Sequence, residues 1–454
     1  MTSESAPLRV AINAQLPPAW GTGGVYGVLI GLIASLGQLT DGPEEYVVIG
    51  PREDPEWLSP YLGARQRILR GPAPRERWPV LKRSLGPLRP LIGRAWRALR
   101  PAPPPAAPAL VPDLPVSDGF YEQLGCGVIH FPSQALTVCG LPMVYSPHDL
   151  QHLHYPEFFS PADIAAREEV YPQACRVAHT VTVAAQWVRE DFERHYQIDG
   201  RKLAVIPWAA PTVFQEDASE QVRARVRDKY QLTEPFAFFP AATWPHKNHL
   251  RLLEALALLR DRDRLVVPLV CSGSRLERHW PAIEERQRAL GLAEQVRFLG
   301  GVPAPDVRAL YSLAQFTVFP SLFEGGALPL LESWLEGTPV TCARSTMLPE
   351  LAGEAALLFD PNSPVAIAEA VAAMAKDPSL RADLSRAGRE RVREFTWERT
   401  AKTYRAVYRK AARRALNEED RALLRGAAGE SGQGSSANPR PGRTILAGRE
   451  LELR

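Results

Sequence analysis

Cysteine is scarce in this chain of 454 residues, and no two of its five cysteines form a C-x-x-C pair. Single, scattered cysteines exclude a disulfide framework and a zinc site built on cysteine pairs, and they favour a reducing compartment. Long hydrophobic runs are lacking as well: the longest, at residues 25–37, is too short to span a bilayer. The first residues, MTSESAPLRVAINA, lack the basic start and apolar core of a secretory signal. We therefore expect a cytoplasmic protein.

The chain also lacks a large excess of either positive or negative charge. The formal net charge is +3, which is too small to indicate a nucleic-acid partner, and we expect none. The apolar fraction of 45% and the charged fraction of 23% are those of an ordinary globular protein. Because 454 residues exceed what one hydrophobic core usually supports, the length predicts at least two domains.

Short apolar runs alternate with helical patterns along the chain, which is typical of parallel sheets wrapped by helices. Six runs come first, at residues 8–14, 46–50, 128–133, 142–150, 180–185 and 203–209. A second set follows at residues 236–243, 267–273, 296–301, 316–321, 339–343 and 356–360. The pattern predicts an α/β protein with two Rossmann-like, doubly wound domains. In such sheets ligands bind outside the carboxyl ends of the strands.

The domain boundaries follow from the segments between these sets. We predict a first domain over residues 1–210, a polar connection over 211–234 and a second domain over 235–395. The stretch FTWERTAKTYRAVYRKAARRAL predicts a long helix within residues 396–425. The remaining tail, 426–454, is rich in glycine and serine and is expected to be disordered.

A basic, proline-rich stretch interrupts the first domain at about residues 61–116. Residues 61–100 carry eleven arginines or lysines against a single acid, Glu76, with Trp78 and Trp96 among them. One interpretation is a patch, Arg65–Arg100, that binds a membrane surface or an acidic substrate. The other is a solvated insertion without a partner, since charge runs are usually only solvated.

The stretch FEGGALPLLESWLEGTP places Glu324 and Glu332 eight residues apart around a glycine pair and a helix start. Pro329 suits the first turn of a helix, and Gly337 suits its end. The amides of Gly325, Gly326 and Ala327 would then lie at a helix amino terminus, where anions bind. A nucleoside diphosphate sugar would satisfy both acids and these amides together. The alternative is that both acids merely favour the helix dipole.

In its context this stretch resembles the Glu-x7-Glu motif of retaining glycosyltransferases of family four, the group 1 enzymes of the GT-B fold. The resemblance covers most of the second domain, through AATWPHKNHLRLLEAL, VRFLGGV, LPELAGEAALLFDP and FTWERTAKTYRAVYRKA. It implies that Glu324 contacts the donor sugar, that Glu332 binds the ribose, and that Gly325–Leu328 line the donor site. It also implies two domains facing a central cleft, with the last helix crossing back to the first domain. The aromatic-glycine pair usual after the first Glu-Gly is Gly326–Ala327 here.

The resemblance implies two further site positions. Lys247, in TWPHKNH, is expected to bind the donor diphosphate, and His148, in SPHDLQHLHYPEFF, to contact the reacting sugar. Many relatives carry an arginine where this chain has Ala242, so a second cation must come from elsewhere; Arg344 and Arg251 are the candidates. The WPHKN form resembles the subgroup of O-antigen and polysaccharide mannosyltransferases.

The four side chains His148, Asp149, His152 and His154 could also be read as a metal-ligand set, but spacing alone does not establish ligand geometry. We expect no metal at the site, because the family resemblance implies transfer without one. His152 and His154 are better explained as structural histidines.

The stretch GTGGVYG at residues 21–27 follows the first strand and precedes a helix. It lacks the glycine that a dinucleotide fingerprint would need at Tyr26, so a dehydrogenase is not favoured. The resemblance implies that Gly23 and Gly24 face donor phosphate and acceptor. A plain strand-to-helix turn is the alternative.

These observations predict a retaining, nucleotide-sugar-dependent hexosyltransferase of cell-surface polysaccharide synthesis. It would need no cofactor; GDP-mannose is the favoured co-substrate, and a glycan or lipid-linked saccharide is the acceptor. We expect it in the cytoplasm, peripheral at the inner membrane face. A nucleotide-sugar epimerase of the same fold and a non-catalytic sugar-nucleotide-binding partner protein remain open.

Overall fold

The computed structural model describes residues 6–16, 24–72, 114–211 and 219–429, and the backbone of Ile445–Leu446 and Arg449–Glu450, a two-residue strand pair. Gly23, the basic residues from Arg75 to Arg100 and most of the predicted disordered tail lie outside the described residues.

The first domain contains one sheet of seven parallel strands in the order β3-β2-β1-β4-β5-β6-β7. Its strands are β1 Arg9–Asn13, β2 Glu45–Gly50, β3 Gln66–Arg70, β4 Val128–Phe131, β5 Met143–Tyr145, β6 Thr180–Val183 and β7 Leu203–Val205. Its helices are α1 Gly24–Gln38, α2 Gln151–His154, α3 Pro161–Val177 and α4 Gln186–Tyr196.

The second domain repeats this plan with six parallel strands in the order β10-β9-β8-β11-β12-β13. The strands are β8 Ala237–Pro240, β9 Leu269–Ser272, β10 Val296–Phe298, β11 Phe316–Phe319, β12 Val340–Ala343 and β13 Ala356–Phe359. The helices are α5 Glu220–Lys229, α6 His249–Asp263, α7 Trp280–Ala289, α8 Ala304–Leu313, α9 Leu328–Leu335, α10 Leu348–Ala352, α11 Pro364–Lys376 and α12 Pro378–Arg391. The predicted α/β class with two doubly wound domains is confirmed.

Successive strand residues pack into different cores. In β1, Val10 and Ile12 join one cluster of buried side chains, and Ala11 between them joins another. In β8, Phe238 likewise joins one cluster of buried side chains and Phe239 joins another. Successive side chains of a strand point to opposite faces, so a sheet covered on both faces needs apolar residues at every position. This explains why the strands read as continuous apolar runs.

One strand was not predicted. β3 lies at the sheet edge beside β2, inside the segment that the sequence analysis assigned to the basic insertion. An edge strand is only partly covered, so Arg67 and Arg70 remain exposed while Ile68 and Leu69 are half-buried. The insertion boundary at residue 61 was therefore too early. Similarly, the predicted connection 211–234 contains α5, which packs on the second domain through contacts with α8.

The long helix predicted over 396–425 is two helices, α13 Trp397–Ala411 and α14 Glu418–Ala427. The break comes at Arg413, which has a positive φ of 53°. Asn417 then begins α14 with a capping box to Asp420. The α13 helix lies against the first domain, where Trp397 donates to the Ala210 carbonyl at 2.6 Å. Its Tyr408 hydroxyl is 2.8 Å from the buried ring of His130 on β4.

A buried ion cluster holds α13 to the first domain. Arg409 donates to both carboxylate oxygens of Glu44 at 2.7 and 3.0 Å and to Asp420 at 2.8 Å. Replacing Arg409 by methionine is expected to lower the free energy of unfolding by about 3–5 kcal/mol, because two buried carboxylates lose their cation. Urea unfolding measures this loss. Exposed Arg414, replaced in the same way, is the control, and equal losses in both variants would contradict the expectation.

Over the part of the chain that the structure describes, every helix is too short or too polar to cross a bilayer.

Candidate functional site

The loops that follow β8 and β11 meet because these two strands are neighbours at the point where the strand order reverses. The first loop carries Lys247 and the second carries Glu324. The Lys247 Nζ atom donates to Glu324 Oε1 at 2.6 Å, and both side chains are largely buried, with 18% and 12% of their surfaces exposed. Two predicted site residues, 77 positions apart in the chain, therefore form one charged pair in a sheltered position.

Hydrogen bonds hold both loops in place. Asn248, in the left-handed region with φ 64°, donates to the carbonyls of Pro320 and Pro361 at 2.9 and 2.8 Å. The Leu322 amide donates to the His246 carbonyl at 2.7 Å. The Thr346 hydroxyl accepts from the Glu324 amide at 3.1 Å and donates to its carbonyl at 3.0 Å. These hydrogen bonds fix the backbone of both loops, and so they fix the positions of Lys247 and Glu324.

Glu332 lies one turn into α9 and accepts a hydrogen bond from the Tyr311 hydroxyl at 2.6 Å. Burial raises the pKa of Glu332 to about 7, and the hydrogen bond from Tyr311 lowers it only in part. A half-buried carboxylate with one lone pair fixed in this way keeps its remaining acceptor capacity for a ligand. Glu332 thus has acceptor capacity that its hydrogen bond from Tyr311 does not use.

His148 follows β5 and is buried, with a backbone φ of 76°. Positive φ is uncommon outside glycine, and such strain concentrates at functional sites. The His148 Nε2 atom is 3.2 Å from the Pro132 carbonyl, whereas Nδ1 has no partner among the described residues. Burial lowers the pKa of His148, and the nearby Asp149 carboxylate offsets this in part. A neutral imidazole is therefore favoured here.

The two glycines of the motif face the first domain. A Cβ atom on Gly325 would be 2.7 Å from Asp149 Cβ, and one on Gly326 would be 2.0 Å from the indole of Trp208. The sequence interpretation was that glycine lets a ligand approach the backbone. In the structure, both positions need glycine because side chains of the first domain lie against them.

The amino terminus of α9 also faces the first domain. Ala327 and Leu328 are buried, and Leu328 Cδ1 is 3.5 Å from where a Cβ of Gly27 in α1 would lie. A Cβ on Gly24, in the first turn of α1, would meet no described atom within 4 Å. The cleft between the two domains therefore has α1 and α9 on its opposite walls.

The two candidates for the second cation lie in different places. Arg251 donates to the Asn248 side chain at 3.0 Å, one turn after Lys247. Arg344 is exposed and directly follows β12, at the same sheet edge as Glu324. Arg251 is thus tied to the turn that carries Lys247.

The metal-ligand set considered from the sequence does not come together with His148. His152 Nε2 is 2.7 Å from Glu168 Oε1, and the His154 Nε2 atom is 2.9 Å from both carboxylate oxygens of Asp191. These partners lie on α3 and α4, so the polar contacts of both histidines are made within the first domain.

Two site residues were missed. Trp208 follows β7, and its ring lies edge-to-face on His148 with centroids 5.6 Å apart. It stands at the end of a predicted strand, so inspecting every carboxyl end would have found it. Tyr311 lies on α8, 21 residues before Glu332, and no local pattern links the two.

Residues 222–391 match the family model described as glycosyl transferases group 1. The chain is 29% identical over 255 residues to O-antigen chain mannosyltransferase B of Escherichia coli, covering 55% of this chain and 66% of that protein. It is 31% identical over 296 residues to D-inositol 3-phosphate glycosyltransferase of Salinispora tropica, covering 60% of each. The matches thus span about 60–66% of these relatives' lengths.

Solved structures resemble the whole two-domain arrangement. Sucrose-phosphate synthase from Thermosynechococcus elongatus aligns with a TM-score of 0.64 at 20% identity, covering 89% of this chain and 98% of that one. Anabaena HepE in complex with UDP and glucose aligns with a TM-score of 0.63 at 17% identity, covering 89% and 100%. The chain therefore has the GT-B fold. Most of its second domain, residues 222–391, is similar to the group 1 glycosyl transferases.

Proposed function

We propose that this protein is a retaining glycosyltransferase that moves a hexose from a nucleoside diphosphate sugar to a hydroxyl of a glycan or lipid-linked saccharide. The Lys247–Glu324 pair, held at 2.6 Å beside the amino terminus of α9, is the observation that carries the proposal. The part of the chain that contains it matches the group 1 model.

The reaction breaks the bond between the anomeric carbon and the diphosphate oxygen, and forms a bond from that carbon to the acceptor oxygen. The acceptor proton passes to the leaving diphosphate. Negative charge develops on that diphosphate, so preorganised donors aimed at it lower the barrier. Lys247 and the amides of 325–327 supply those donors. When the donor binds, its phosphates compete with Glu324 for the lysine, which leaves the carboxylate for the sugar hydroxyls.

The other residues orient the reactants. Glu332 accepts hydrogen bonds from the ribose diol, with Tyr311 fixing the position of its carboxylate. His148, neutral and with Nδ1 unpartnered among the described atoms, is placed to bond a hydroxyl of the reacting sugar. The contacts of Gly325 and Gly326 with the first domain exclude water from this side of the sugar site.

Mannose is the favoured sugar, with GDP-mannose as donor. Support comes from two relatives whose names are those of mannosyltransferases, from Escherichia coli and from Mycolicibacterium hassiacum. UDP-sugars are the competing donors, since HepE was crystallised with UDP-glucose. An inositol phosphate acceptor is the competing acceptor class, on the name of the Salinispora tropica relative.

A binding screen tests the donor site. Thermal unfolding of the full chain is followed with GDP-mannose, UDP-glucose, UDP-N-acetylglucosamine and the free nucleotides, without acceptor. One nucleotide family is expected to raise the unfolding temperature, since a ligand that binds only the folded chain stabilises it. Glu332→Ala is expected to abolish the shift. No shift with any nucleotide would overturn the proposal.

A second measurement separates transfer from epimerisation. The donor that binds is incubated with the protein alone and analysed for inverted sugar. Transfer requires an acceptor, so the sugar is expected to stay unchanged until one is added. Conversion of the free donor would establish an epimerase instead.

Donor binding is expected to depend on pH through Glu332. Only the ionised carboxylate accepts two hydrogen bonds from the diol, and burial raises its pKa to about 7. The affinity for nucleotide sugar should therefore fall about tenfold between pH 8 and pH 6. Titration calorimetry at both values measures this. A nucleotide sugar is the right probe because its diphosphate diester does not titrate in this range.

The free energy of unfolding of the ligand-free protein should rise as the pH falls, whereas the affinity for the donor falls. Between the ordinary glutamate value of 4.5 and about 7, the folded chain holds a proton on Glu332 that the unfolded chain has released. This contribution to stability is complete below pH 4.5 and is lost as the pH rises to about 7. Glu332→Gln removes both dependences while keeping the shape of the side chain. A pH dependence that survives in this variant would assign the titration to another group.

The basic segment 65–100 suits a peripheral place at the inner membrane face, where a lipid-linked acceptor would lie. This part of the proposal rests on composition and on the family resemblance. Sedimentation with vesicles that contain anionic lipid tests it, and equal binding to neutral vesicles would contradict it.

A further inference from the structure

A cluster of three potential metal ligands lies in the first domain and shares no residue with the Lys247–Glu324 pair. His154 ends α2, and Asp191 and His195 lie one turn apart on α4. The His154 Nε2 atom is 2.9 Å from both oxygens of Asp191, and the His195 Nε2 atom is 3.4 Å from Asp191 Oδ1. One ligand atom from each residue lies within 4.8 Å of the others. The i, i+4 spacing places two of the ligands on one helix face.

The Asp191 carboxylate in this cluster is buried and needs a compensating positive charge. The Asp191 side chain is only 1% exposed, and histidines are its only ion-pair partners within the described ranges; no lysine or arginine reaches it. A buried carboxylate is costly unless a positive charge compensates it. A metal ion shared with the two imidazoles would supply that charge.

We propose that His154, Asp191 and His195 bind a divalent transition-metal ion, with Zn²⁺ as the best fit. Imidazole nitrogens and a carboxylate oxygen are the ligands that zinc takes, at about 2.0–2.2 Å, with water in the fourth position of an open site. The two histidine side chains are 26% and 35% exposed, which leaves room for that water and a route of entry. This ligand set differs from the one considered from the sequence, and the ion takes no part in transfer.

The position of the cluster indicates what an ion would do. The His154 ring packs on Phe323, with centroids 5.3 Å apart, and Phe323 directly precedes Glu324. Trp187, on the first turn of α4, contacts both of these rings. The amides of Gln186 and Trp187 donate to the carboxylate of Glu350 in the second domain at 2.7 and 2.9 Å. The ion would therefore tie together α2 and α4, two elements of the first domain that contact the second domain.

Metal binding by the full chain tests the inference. The protein is dialysed against a chelator and titrated with ZnCl₂ in a calorimeter. One ion per chain is expected, with affinity reduced on the order of 100-fold in His195→Gln, since even outer-shell changes weaken zinc sites 10- to 100-fold. His279→Gln in the second domain is the matched control and should bind zinc as the wild type does. Absence of binding at millimolar zinc, or equal binding by all three proteins, would overturn the inference.

Binding of Co²⁺, followed by visible absorption, is a second test that does not depend on the heat of metal binding. Co²⁺ in a site with nitrogen and oxygen ligands gives visible absorption bands whose intensity reports a tetrahedral geometry. These bands should appear in the wild type, disappear on zinc addition, and be missing in His195→Gln. Because His195 is partly exposed, this variant is expected to fold, and its unfolding temperature without metal checks that. A folded wild type without such bands would contradict the inference whatever the donor experiments show.

Discussion

Replacement of Lys247 by methionine is expected to lower kcat/KM for sugar transfer on the order of 100- to 1,000-fold, which is the usual loss when one preorganised donor to a developing anion is removed. Methionine keeps the apolar stem and removes the charge that the diphosphate needs. The Lys247–Glu324 distance of 2.6 Å shows that the ammonium already points into the site. Release of nucleoside diphosphate in the presence of acceptor measures the rate.

Two further variants separate the effect of the Lys247 charge from that of a second cation. Lys247→Arg keeps the charge and is expected to retain more activity than the methionine variant. Arg251→Met tests whether the arginine beside Asn248 supplies the second cation that Ala242 does not; if it does, its loss should raise KM for the donor. Thermal unfolding without ligand shows whether each variant is folded. A Lys247→Met protein that is folded and nearly as active as the wild type would remove the lysine from the mechanism.

Replacement of Gly326 by leucine is expected to reduce kcat/KM by about 100-fold or more. A Cβ atom at this position would lie 2.0 Å from the Trp208 indole, so the cleft cannot close as it does in the structure. Overpacking of this kind costs roughly 1–3 kcal/mol or more, and here the cost falls on the closed arrangement that transfer requires. Because the collision joins a loop of the second domain to a side chain of the first, it lies outside the core of either sheet, and the variant should fold.

A double variant tests whether the loss of activity comes from the collision between residue 326 and Trp208. Trp208→Ala in the Gly326→Leu background removes the colliding ring and should restore part of the activity, although each single change lowers it. Such non-additivity is expected only for residues in contact. Gly301→Ala is the matched control, because a methyl there would meet no described atom within 4 Å. Additive losses in the double variant would show that Trp208 and Gly326 do not meet in the working enzyme.

Local patterns were enough for the fold class and for naming several residues of the candidate site. Continuous apolar runs predicted the strands that are covered on both faces, because such strands have no solvent side to mark with polar residues. They missed β3, since an edge strand with Arg67 and Arg70 looks like solvated chain. They also merged α13 with α14, although the Asn417–Asp420 capping box marks a new helix start.

The sequence by itself determined which chemistry is available at the carboxyl ends of the strands: Lys247 after one strand, Glu324 after another, and Glu332 one turn into the next helix. Only the tertiary structure decided how these groups are used. The pairing of Lys247 with Glu324, the bond from Tyr311 to Glu332 and the contact of Trp208 with Gly326 join residues 77, 21 and 118 positions apart. Periodicity and capping report interactions within a few residues, whereas these contacts depend on strand order and on how the two domains meet.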